Sequence, residues 1–548
     1  MSKGGIGRAS ALLASGTLVS RALGFIKSIV LVAAIGQFTI AGNAFALATQ
    51  LPNNIYALVA GGLLSAILVP QIVRARLHDD GGQAYINKIV TLGATSFVVI
   101  AALATGAAPL LVSLYARSGE GQAFTADGIA LAVAFAAWCL PQILFYALYS
   151  LLGQVLNAHG SFGAFTWAPV VNNIVALSGL GIFIAVYGDS TVNGSTDVWD
   201  APRIALLAGT ATLGVASQAL ILGAFWKRAG LTFRLDFGWR GVGLRRTGTA
   251  AGWTFGMILV TQVAGVFQSN TASLAANGGA SLSVLQNSWL IFMLPHSVIA
   301  VSIATAYFTR MSTHASTGDL KSVRADVSSS LRQVGVLIVF SSIALMVVAF
   351  PFARVFEVPF ENVTAMALVI IAYVLGLVPF SAAFVLQRAL FSLEDTRAPF
   401  FIEVAKSSMF ILGALMIAFL LSPGAPEWIG VCLALLTTLT CTLQAVLTFI
   451  ILRRRIGSIG GGLLLRRHVQ YLVAGLFAGA VGVGILVTLG GLTPGGFAQS
   501  GRIPAILSMI AIGTGMLVVY FGVLLAMKNP EASSALERVT SRFPRRNR

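Results

Sequence analysis

The sequence predicts an all-α polytopic membrane protein with about 14 transmembrane helices, arranged as two six-helix lobes in a parallel pseudo-repeat plus two C-terminal helices. Of the 548 residues, 57% are hydrophobic and only 10% are charged, whereas soluble proteins carry about 25% charged residues. The apolar residues form long runs, each able to cross a hydrocarbon core about 30 Å thick. The chain is therefore expected to be embedded in a bilayer.

The predicted spans follow one another along almost the whole chain. The N-terminal apolar run is kept as the first span because it is too long for a signal peptide and has no convincing cleavage site. An even number of spans places both termini on the same side of the membrane. The spans are 9–36, 39–70, 89–115, 128–156, 162–187, 203–226, 247–276, 281–309, 333–356, 362–392, 399–421, 428–452, 468–490 and 503–527.

The basic residues predict the orientation of these spans. With the N-terminus inside, 27 of the 35 Lys and Arg residues lie in cytoplasmic segments and four lie in outer loops. Because basic residues accumulate in cytoplasmic loops, both termini are predicted to be cytoplasmic. The net charge of +17 then reflects topology, and no nucleic-acid partner is expected. The remaining four basic residues lie inside spans: Arg21, Lys27, Arg388 and Lys406.

Proline landmarks indicate an internal repeat. Pro52 and Pro295 each follow a leucine near the middle of a span and are 243 residues apart, and Pro141 and Pro379 are 238 residues apart. Two landmarks with nearly one offset predict two parallel six-span halves, with the substrate path between them. The predicted domains are an N-terminal lobe (1–230), a C-terminal lobe (231–456), and two further helices with a short basic tail (457–548).

The first span carries the main candidate site. Arg21 lies near mid-depth, where a basic side chain costs about 2.5–3.5 kcal/mol and is kept only where it faces protein or a wet cavity. On an α-helix Thr17, Arg21, Gly24 and Ser28 share one stripe, and Lys27 lies about 60° from Gly24. Arg21, Lys27 and Thr17 are therefore candidate substrate-binding residues.

Three further candidates have a structural alternative. Arg388 lies about one turn from the inner end of span 10, from which its side chain can snorkel to the surface. Glu403, the candidate for ion coupling, is three residues before Lys406 and can simply pair with it. His296 follows the proline of span 8 and can line a cavity or bond a carbonyl freed by that proline.

The sequence contains no pattern for catalysis. It has no phosphate-binding glycine loop, nucleophile elbow or metal-spaced cluster of His and carboxylates, so no enzyme, cofactor or metal is predicted. The cysteines, Cys139, Cys432 and Cys441, lie inside spans as small apolar residues. One class of transporter to consider is a multidrug or cation antiporter, which needs acidic residues within the membrane. Of the 18 Asp and Glu residues, only Glu403 lies well inside a span, and this excess of basic residues favours an anionic substrate.

Several stretches together resemble the MurJ (MviN) family of the multidrug/oligosaccharidyl-lipid/polysaccharide exporter superfamily. These are ASGTLVSRALGF, GNAFALA, LPNNIYALVAGGLLSAILVPQ, LNAHGSF with APVVNN after it, and LQRALFSLEDTRAPF. The resemblance covers residues 8–527. It implies a flippase of the bacterial cytoplasmic membrane that moves lipid II for peptidoglycan biosynthesis and cell shape, by alternating access. It also implies lipid II, membrane lipids and the cell-wall synthesis machinery as partners, and a groove for the lipid tail formed by spans 13 and 14. A flippase for another lipid-linked glycan is a second alternative.

The functional residues of the family carry over only in part. Arg21 matches the arginine of the SR-x-LGF motif, and Lys27 matches the basic residue that closes the motif. Elsewhere the chain departs from the pattern, at Asn43 (Asp in many members), Tyr56-Ala57 (an Arg pair), Ala60-Gly61-Gly62 (AEG) and Trp289-Leu290 (an Asp-Arg pair). We expect polar residues of spans 2, 7 and 8 to replace the missing arginines: Asn53, Asn54, Gln262, Gln268, Asn270, Asn287 and His296.

Overall fold

The computed structural model describes residues 3–75, 82–159, 161–238 and 248–534, and side chains within 15–59, 82–157, 159, 161, 163–238 and 252–534. In these residues the regular secondary structure is helical and contains no β-strand, which confirms the all-α class. The predicted basic tail after residue 534 lies outside the described residues.

Helices occupy all of the predicted spans. Twelve helical segments in the described part of the chain have the length and hydropathy needed to cross a membrane. The helices at predicted spans 2 and 7, Ile40–Ala75 and Gly248–Ser273, are present but are not among those twelve. The count of fourteen spans therefore stays a prediction.

The described residues of the first half of the chain form ten α-helices. Spans 3 and 4 are each divided into two helices, and α8 is a single turn in the loop before span 6. The helices are α1 (Lys3–Ile35), α2 (Ile40–Ala75), α3 (Gln83–Gly106), α4 (Ala108–Tyr115), α5 (Ala126–Cys139), α6 (Gln142–Ala158), α7 (Phe162–Tyr187), α8 (Ser190–Asn193), α9 (Ala201–Trp226) and α10 (Gly248–Ser273).

In the described residues of the second half, spans 9 to 12 repeat the order of long and short helices found in spans 3 to 6, apart from the single-turn α8. Span 8 contains a π-helical turn between α11 and α12, at His296–Ala300. The helices are α11 (Leu282–Pro295), α12 (Val301–Ser316), α13 (Leu320–Val347), α14 (Ala349–Phe356), α15 (Phe360–Val374), α16 (Leu377–Ser392), α17 (Arg397–Leu421), α18 (Ile429–Ile456), α19 (Gly461–Thr488) and α20 (Arg502–Ala526).

Breaks in the helices recur at corresponding places in the two halves. Span 3 breaks at Ala107 (φ −91°, ψ 12°) and span 9 breaks at Val348 (φ −87°, ψ 8°), and each break is followed by an eight-residue helix. Spans 4 and 10 are likewise broken close to Pro141 and Pro379. The order of the helices thus repeats as the proline landmarks predict, because the same breaks end the same helices in each half.

Side-chain caps explain where several helices begin. Thr125, Asp200 and Asp319 accept hydrogen bonds from backbone N–H groups in the first turns of α5, α9 and α13. The caps satisfy donors that have no partner inside a helix. At Asp319, which precedes the span, hydrogen bonds from the side chain and the N–H of Ser322 lower the pKa of the carboxyl group.

Packing groups the chain into two compact units, Met1–Ser283 with Ser422–Glu427, and Val284–Leu421 with Trp428–Arg548. Helix α10 packs against α2 and α4 and so belongs to the first unit, although the sequence places it in the second predicted lobe. The predicted domain division at residues 230 and 456 remains a prediction.

Glycines let α19 approach α13 closely in the second unit. A Cβ added at Gly475 would lie 2.2 Å from Ile343 Cδ1, and one at Gly482 would lie 2.5 Å from Met516 Sδ of α20. Small residues of this kind allow the close backbone contacts that drive helix association in membranes. The face of α19 that carries them is buried, and it includes Tyr471.

We expect Gly475→Leu to lower the unfolding free energy by about 1–3 kcal/mol, the usual cost of overpacking. Gly484→Leu is the matched control on the same helix, because a Cβ at Gly484 meets no atom within 4 Å. Thermal unfolding of both variants in detergent is the measurement. Equal melting temperatures for the two variants would contradict the proposed close contact of α19 with α13.

Candidate functional site

The candidate site helix α1 packs against α7 through a row of small residues. A Cβ added at Gly16 would lie 2.8 Å from Thr166 Cγ2, and one at Gly24 would lie 3.7 Å from Asn173 Nδ2. Between these glycines the Asn173 amide donates a hydrogen bond to the carbonyl oxygen of Ser20, at 2.9 Å. Gly16, Ser20 and Gly24, spaced four residues apart, thus form the face of α1 that contacts α7.

Polar residues of α7 hold α7 against α1 and α9. Asn172 Nδ2 donates to Gln218 Oε1 of α9 at 2.9 Å, while Asn173 donates to the Ser20 carbonyl oxygen of α1. Both asparagines therefore act in helix packing.

Arg21 and Lys27 project from different sides of α1. Arg21 follows Ser20 by one residue and so points about 100° away from the contact with α7, whereas Lys27 lies seven residues after Ser20 and points within about 20° of it. Both side chains are partly exposed, and Thr17, one turn before Arg21, is exposed. Within the described residues no hydrogen bond or ion pair involves Lys27. Arg21 and Thr17 therefore share a flank that faces away from α7, and Lys27 lies beside the face that packs on α7.

The asparagines of α2 have unequal surroundings. Asn53 is exposed and Asn54 is partly buried. The Asn54 amide lies 3.4 Å from the Tyr115 hydroxyl of α4, which is a long hydrogen bond. Tyr56, where the resemblance implies arginine, packs on Tyr146 of α6 with ring centroids 5.8 Å apart. The side chains of Ala60, Gly61 and Gly62 lie outside the described residues.

Asn43 stands where many family members have Asp, and its contacts are structural. The side chain is 1% exposed. Its amide donates to the carbonyl oxygen of Thr39 at 3.1 Å, and its carbonyl oxygen accepts from the backbone N–H of Ser283 at 3.1 Å. An uncharged amide supplies both the donor and the acceptor that this buried position uses.

An aromatic cluster replaces the Asp-Arg pair of span 8 in the second unit. Trp289 stacks on Phe292 of α11 with centroids 4.7 Å apart, and its ring edge meets Tyr373 of α15 at 5.5 Å and Phe380 of α16 at 5.7 Å. Such contacts contribute about 0.5–1.5 kcal/mol each beyond area burial. The cluster is not among the features predicted from the sequence, although a tryptophan where the resemblance implies a charged pair was a signal for it.

His296 continues this cluster at the π-helical turn. It is 2% exposed, its Nδ1 lies 3.0 Å from Ser381 Oγ, and its ring lies 4.5 Å from Phe380 and 5.2 Å from Phe384. The hydroxyl of α16 is thus one hydrogen-bond partner of His296, where the sequence analysis considered a freed carbonyl. π-Helical turns occur frequently at functional sites.

Arg388 lies next in the same row of side chains. Its guanidinium carbon is 5.0 Å from the Phe384 ring and 5.6 Å from the Phe308 ring, within the range of a cation–π interaction. The structure therefore joins His296 and Arg388, two predicted site residues, through Phe384. The sequence analysis considered snorkelling or a cavity for Arg388 and did not predict these rings.

Glu403 pairs with Lys406, as the i, i+3 spacing predicts. Lys406 Nζ lies 2.8 Å from Glu403 Oε1, and the Ser407 hydroxyl donates to the same oxygen at 3.3 Å. Glu403 is only 4% exposed. The candidate coupling acid thus has a cation of the protein itself beside it.

We expect Glu403→Gln to lower thermal stability, because it leaves the Lys406 ammonium without its carboxylate. The double variant Glu403→Gln/Lys406→Gln should recover most of that loss, since a neutral pair of polar side chains is tolerated better than one uncompensated charge. Both variants should still restore growth to a strain depleted of the native protein if Glu403 only forms the ion pair with Lys406. Loss of complementation by the stable double variant would instead assign ion coupling to Glu403.

A cavity of about 250 Å³ lies between α12, α13 and the segment that follows α20. Arg332 of α13 and Glu531 line it and form an ion pair, with Arg332 Nε 2.7 Å from Glu531 Oε1. Arg467 Nε of α19 lies 3.6 Å from the other carboxylate oxygen. The carboxylate of Glu531 thus links α13 and α19 at this end of the unit.

In the described part of the chain, no group of three His, Cys, Asp or Glu side chains could hold a metal ion. Cys139 and Cys441 are buried and Cys432 is partly buried, and all three are free thiols.

Comparison with known proteins identifies the family. The family model described as "Lipid II flippase MurJ" matches residues 32–495. A probable lipid II flippase MurJ from Vibrio cholerae is 25% identical over 490 residues, covering 86% of each chain. A protein of the same name from Haemophilus influenzae is 25% identical over 405 residues, covering 70% of this chain and 75% of its own.

Solved structures show the same fold. A lipid II flippase MurJ in an inward closed conformation superposes with a TM-score of 0.69 and 18% identity, covering 94% of this chain and all of that one. An inward-facing multidrug MATE transporter of the MOP superfamily gives a TM-score of 0.62 at 14% identity, covering 82% of this chain and 98% of its own. With a family match over most of its length, the chain belongs to the MurJ family.

Proposed function

We propose that this protein moves a polyprenyl-diphosphate-linked peptidoglycan precursor, lipid II, from the inner to the outer leaflet of the bacterial cytoplasmic membrane by alternating access. The observation that carries the proposal is the family match over residues 32–495, in which relatives bear the name of this activity. No covalent chemistry is required, because the substrate changes leaflet and not structure.

Arg21 is proposed to bind the diphosphate. It lies in a membrane-spanning helix, on a flank that α7 does not cover, with the exposed Thr17 one turn away. A guanidinium can give two parallel hydrogen bonds to phosphate oxygens. Lys27, about 9 Å further along the axis, would add a second positive charge on the outward path of the headgroup.

The scarcity of acids argues against cation antiport, although MATE transporters share the fold. Glu403, the acid that lies well inside a predicted span, has Lys406 at 2.8 Å, and the buried Asp326 near the start of α13 has Arg310 at 2.8 Å. An antiporter would need a carboxylate available to a proton or a cationic substrate. A substrate with a diphosphate instead complements the basic residues.

The membrane potential can supply a driving force for this movement. With the inside negative, outward transfer of an anion is favoured by about 2.3 kcal/mol per charge per 100 mV. Flippase rate in proteoliposomes should then rise with an imposed inside-negative potential.

The test is depletion of the protein in its host, followed by measurement of the lipid-linked precursor that accumulates in the inner leaflet. Accumulation of lipid II there, reversed by re-expression, supports the proposal. Accumulation of a different lipid-linked glycan would replace lipid II as substrate, and accumulation of none would overturn the flippase function.

The cytoplasmic location of both termini is also a proposal, based on the 27 to 4 division of basic residues. Cysteines introduced at Thr191 and Ser422 should react with a membrane-impermeant thiol reagent added to intact cells, and one at Ser316 should not. Replacing the three native cysteines provides a silent background. Labelling of the cysteine at position 316 alone would show that the orientation is the opposite of the predicted one.

A further inference from the structure

An extended segment, residues 231–238, runs along α3 where that helix begins. The chain leaves α9 at Trp226, forms one 3-10 turn, and reverses direction at Gly230, which has φ 75°. Glycine takes this left-handed conformation at little cost. The chain then follows α3 from its first residue, Gln83, towards Thr91.

Side chains of α3 bind every second backbone N–H of this segment. Thr232 N–H donates to Gln83 Oε1 at 3.1 Å, Arg234 N–H to Asn87 Oδ1 at 3.3 Å, and Asp236 N–H to Thr91 Oγ1 at 3.0 Å. The acceptors are spaced four residues apart on α3 and the donors are spaced two apart on the segment.

The donors and acceptors stay matched because four residues of a helix and two residues of an extended chain have nearly the same length. Four residues of α-helix rise about 6.0 Å, and two residues of extended chain rise about 6.6–6.8 Å. The small difference, accumulated over only two steps, is taken up by the side chains. Asn87 and Thr91 are buried, at 7% and 0% exposure, so these hydrogen bonds lie under the segment.

Three of the four odd-numbered side chains of the segment are large, apolar and exposed, whereas the fourth, Leu231, is buried. Phe233 is 47% exposed, Leu235 67% and Phe237 60%. Hydropathy places the start of span 3 near residue 89, so the segment extends from about 9 Å on the water side of that boundary to about 3 Å on the lipid side. We therefore expect the segment to lie in the headgroup layer and at the edge of the acyl chains.

Basic side chains surround the same segment. Lys227, Arg228 and Arg234 are exposed, and the Lys88 side chain lies beside Gly238, where a Cβ would be 3.8 Å from its Nζ. In the described residues of α9, the segment and the first turns of α3, the carboxylate that accompanies these four cations is Asp236. A basic cluster next to exposed apolar side chains matches an anionic lipid surface.

We propose that residues 231–238 form an interfacial anchor, in which Phe233, Leu235 and Phe237 enter the acyl region while the neighbouring basic residues bind anionic lipid headgroups. The hydrogen bonds to α3 make this possible, because an extended backbone with unbonded N–H groups would be costly at this depth. The anchor would hold the connection between α9 and α10 on the membrane surface. It goes beyond the proposed transport function and does not depend on it.

The test uses single cysteines at positions 232–237, labelled with a fluorophore in a chain in which the three native cysteines are alanine. The purified protein is reconstituted in phosphatidylcholine vesicles with and without phosphatidylglycerol. Labels at Phe233, Leu235 and Phe237 should be quenched by brominated acyl chains and shielded several-fold from aqueous iodide, while labels at Thr232 and Arg234 show the reverse. Equal access of iodide to all positions would overturn the proposal.

Two further comparisons distinguish binding to anionic lipids from other causes of shielding. Brominated phosphatidylglycerol should quench the Leu235 label more than brominated phosphatidylcholine, and Lys227→Gln/Arg228→Gln should reduce that preference. An unchanged preference would show that these cations do not bind the headgroups. Shielding that occurs in native membranes but not in vesicles would assign the surface to a protein partner and overturn the lipid anchor.

Discussion

Arg21→Ala is expected to abolish complementation of a flippase-depleted strain while the amount of protein in the membrane stays unchanged. The variant loses the guanidinium proposed to bind the diphosphate, yet its helix enters the bilayer more easily. The face of α1 that packs on α7, formed by Gly16, Ser20 and Gly24, is not altered. Two lost charge-assisted hydrogen bonds, at about 1.5–3 kcal/mol each, would weaken substrate binding by about a hundredfold or more.

Arg21→Lys separates charge from geometry. A lysine keeps the positive charge but cannot form the bidentate contact of a guanidinium. Partial complementation is expected if charge alone attracts the diphosphate, and little if two parallel hydrogen bonds are needed.

The control for Arg21 is Arg117→Ala, which removes an exposed arginine from a predicted outer loop and should complement fully. The measurements are complementation and membrane abundance by immunoblot. Full complementation by Arg21→Ala would refute its assignment to the substrate site. Loss of abundance in step with activity would show that Arg21 is structural.

Glu531→Ala is expected to lower the stability of the second unit strongly. Its carboxylate is 2.7 Å from Arg332 Nε and 3.6 Å from Arg467 Nε, with 11% of the Glu531 side chain exposed. Removing one member of a buried ion pair costs about 3–5 kcal/mol, and the partial exposure of both arginines places the expected loss near the lower end, about 3 kcal/mol. The measurement is thermal unfolding, monitored by tryptophan fluorescence.

A double variant and a surface control test the origin of that loss. Arg332→Met/Glu531→Met removes both charges of the closer pair and should restore much of the stability, because Arg467 keeps its hydrogen bond to Gln470 Oε1 at 2.9 Å. Glu427→Ala removes an exposed acid and should have little effect. If Glu531→Ala has the same melting temperature as Glu427→Ala, the carboxylate of Glu531 does not link α13 and α19.

Contacts of charged residues within one helix can be predicted from the sequence, whereas contacts between helices that are distant in the sequence cannot. The pair Glu403 and Lys406 is three residues apart on one helix, so helix geometry alone predicts their contact. Arg332 and Glu531 are 199 residues apart, and their contact depends on which helix faces meet. The same distinction applies to Arg388, whose cation–π contact with Phe384 is local while that with Phe308 joins two helices.

The resemblance to a family predicted the fold but not the details of the site. It marked Arg21 as the motif arginine, and Asn43 and Trp289 as departures from the family pattern. Only the folded chain shows that Asn43 binds Thr39 and Ser283, and that Trp289 belongs to an aromatic cluster with Tyr373 and Phe380. A departure from a motif indicates that the chemistry has changed without indicating what replaces it.

The sequence by itself determined that this is a helical membrane protein with repeated helix order and cations inside its first span. These properties follow from composition, apolar run length and proline position, all of which act locally along the chain. Only the tertiary structure decided the partners of polar side chains that lie far apart in the sequence. The hydrogen bond between Asp236 and Thr91 crosses 145 residues of sequence, and it exists because an extended chain and a helix happen to have matching repeats where the fold places them side by side.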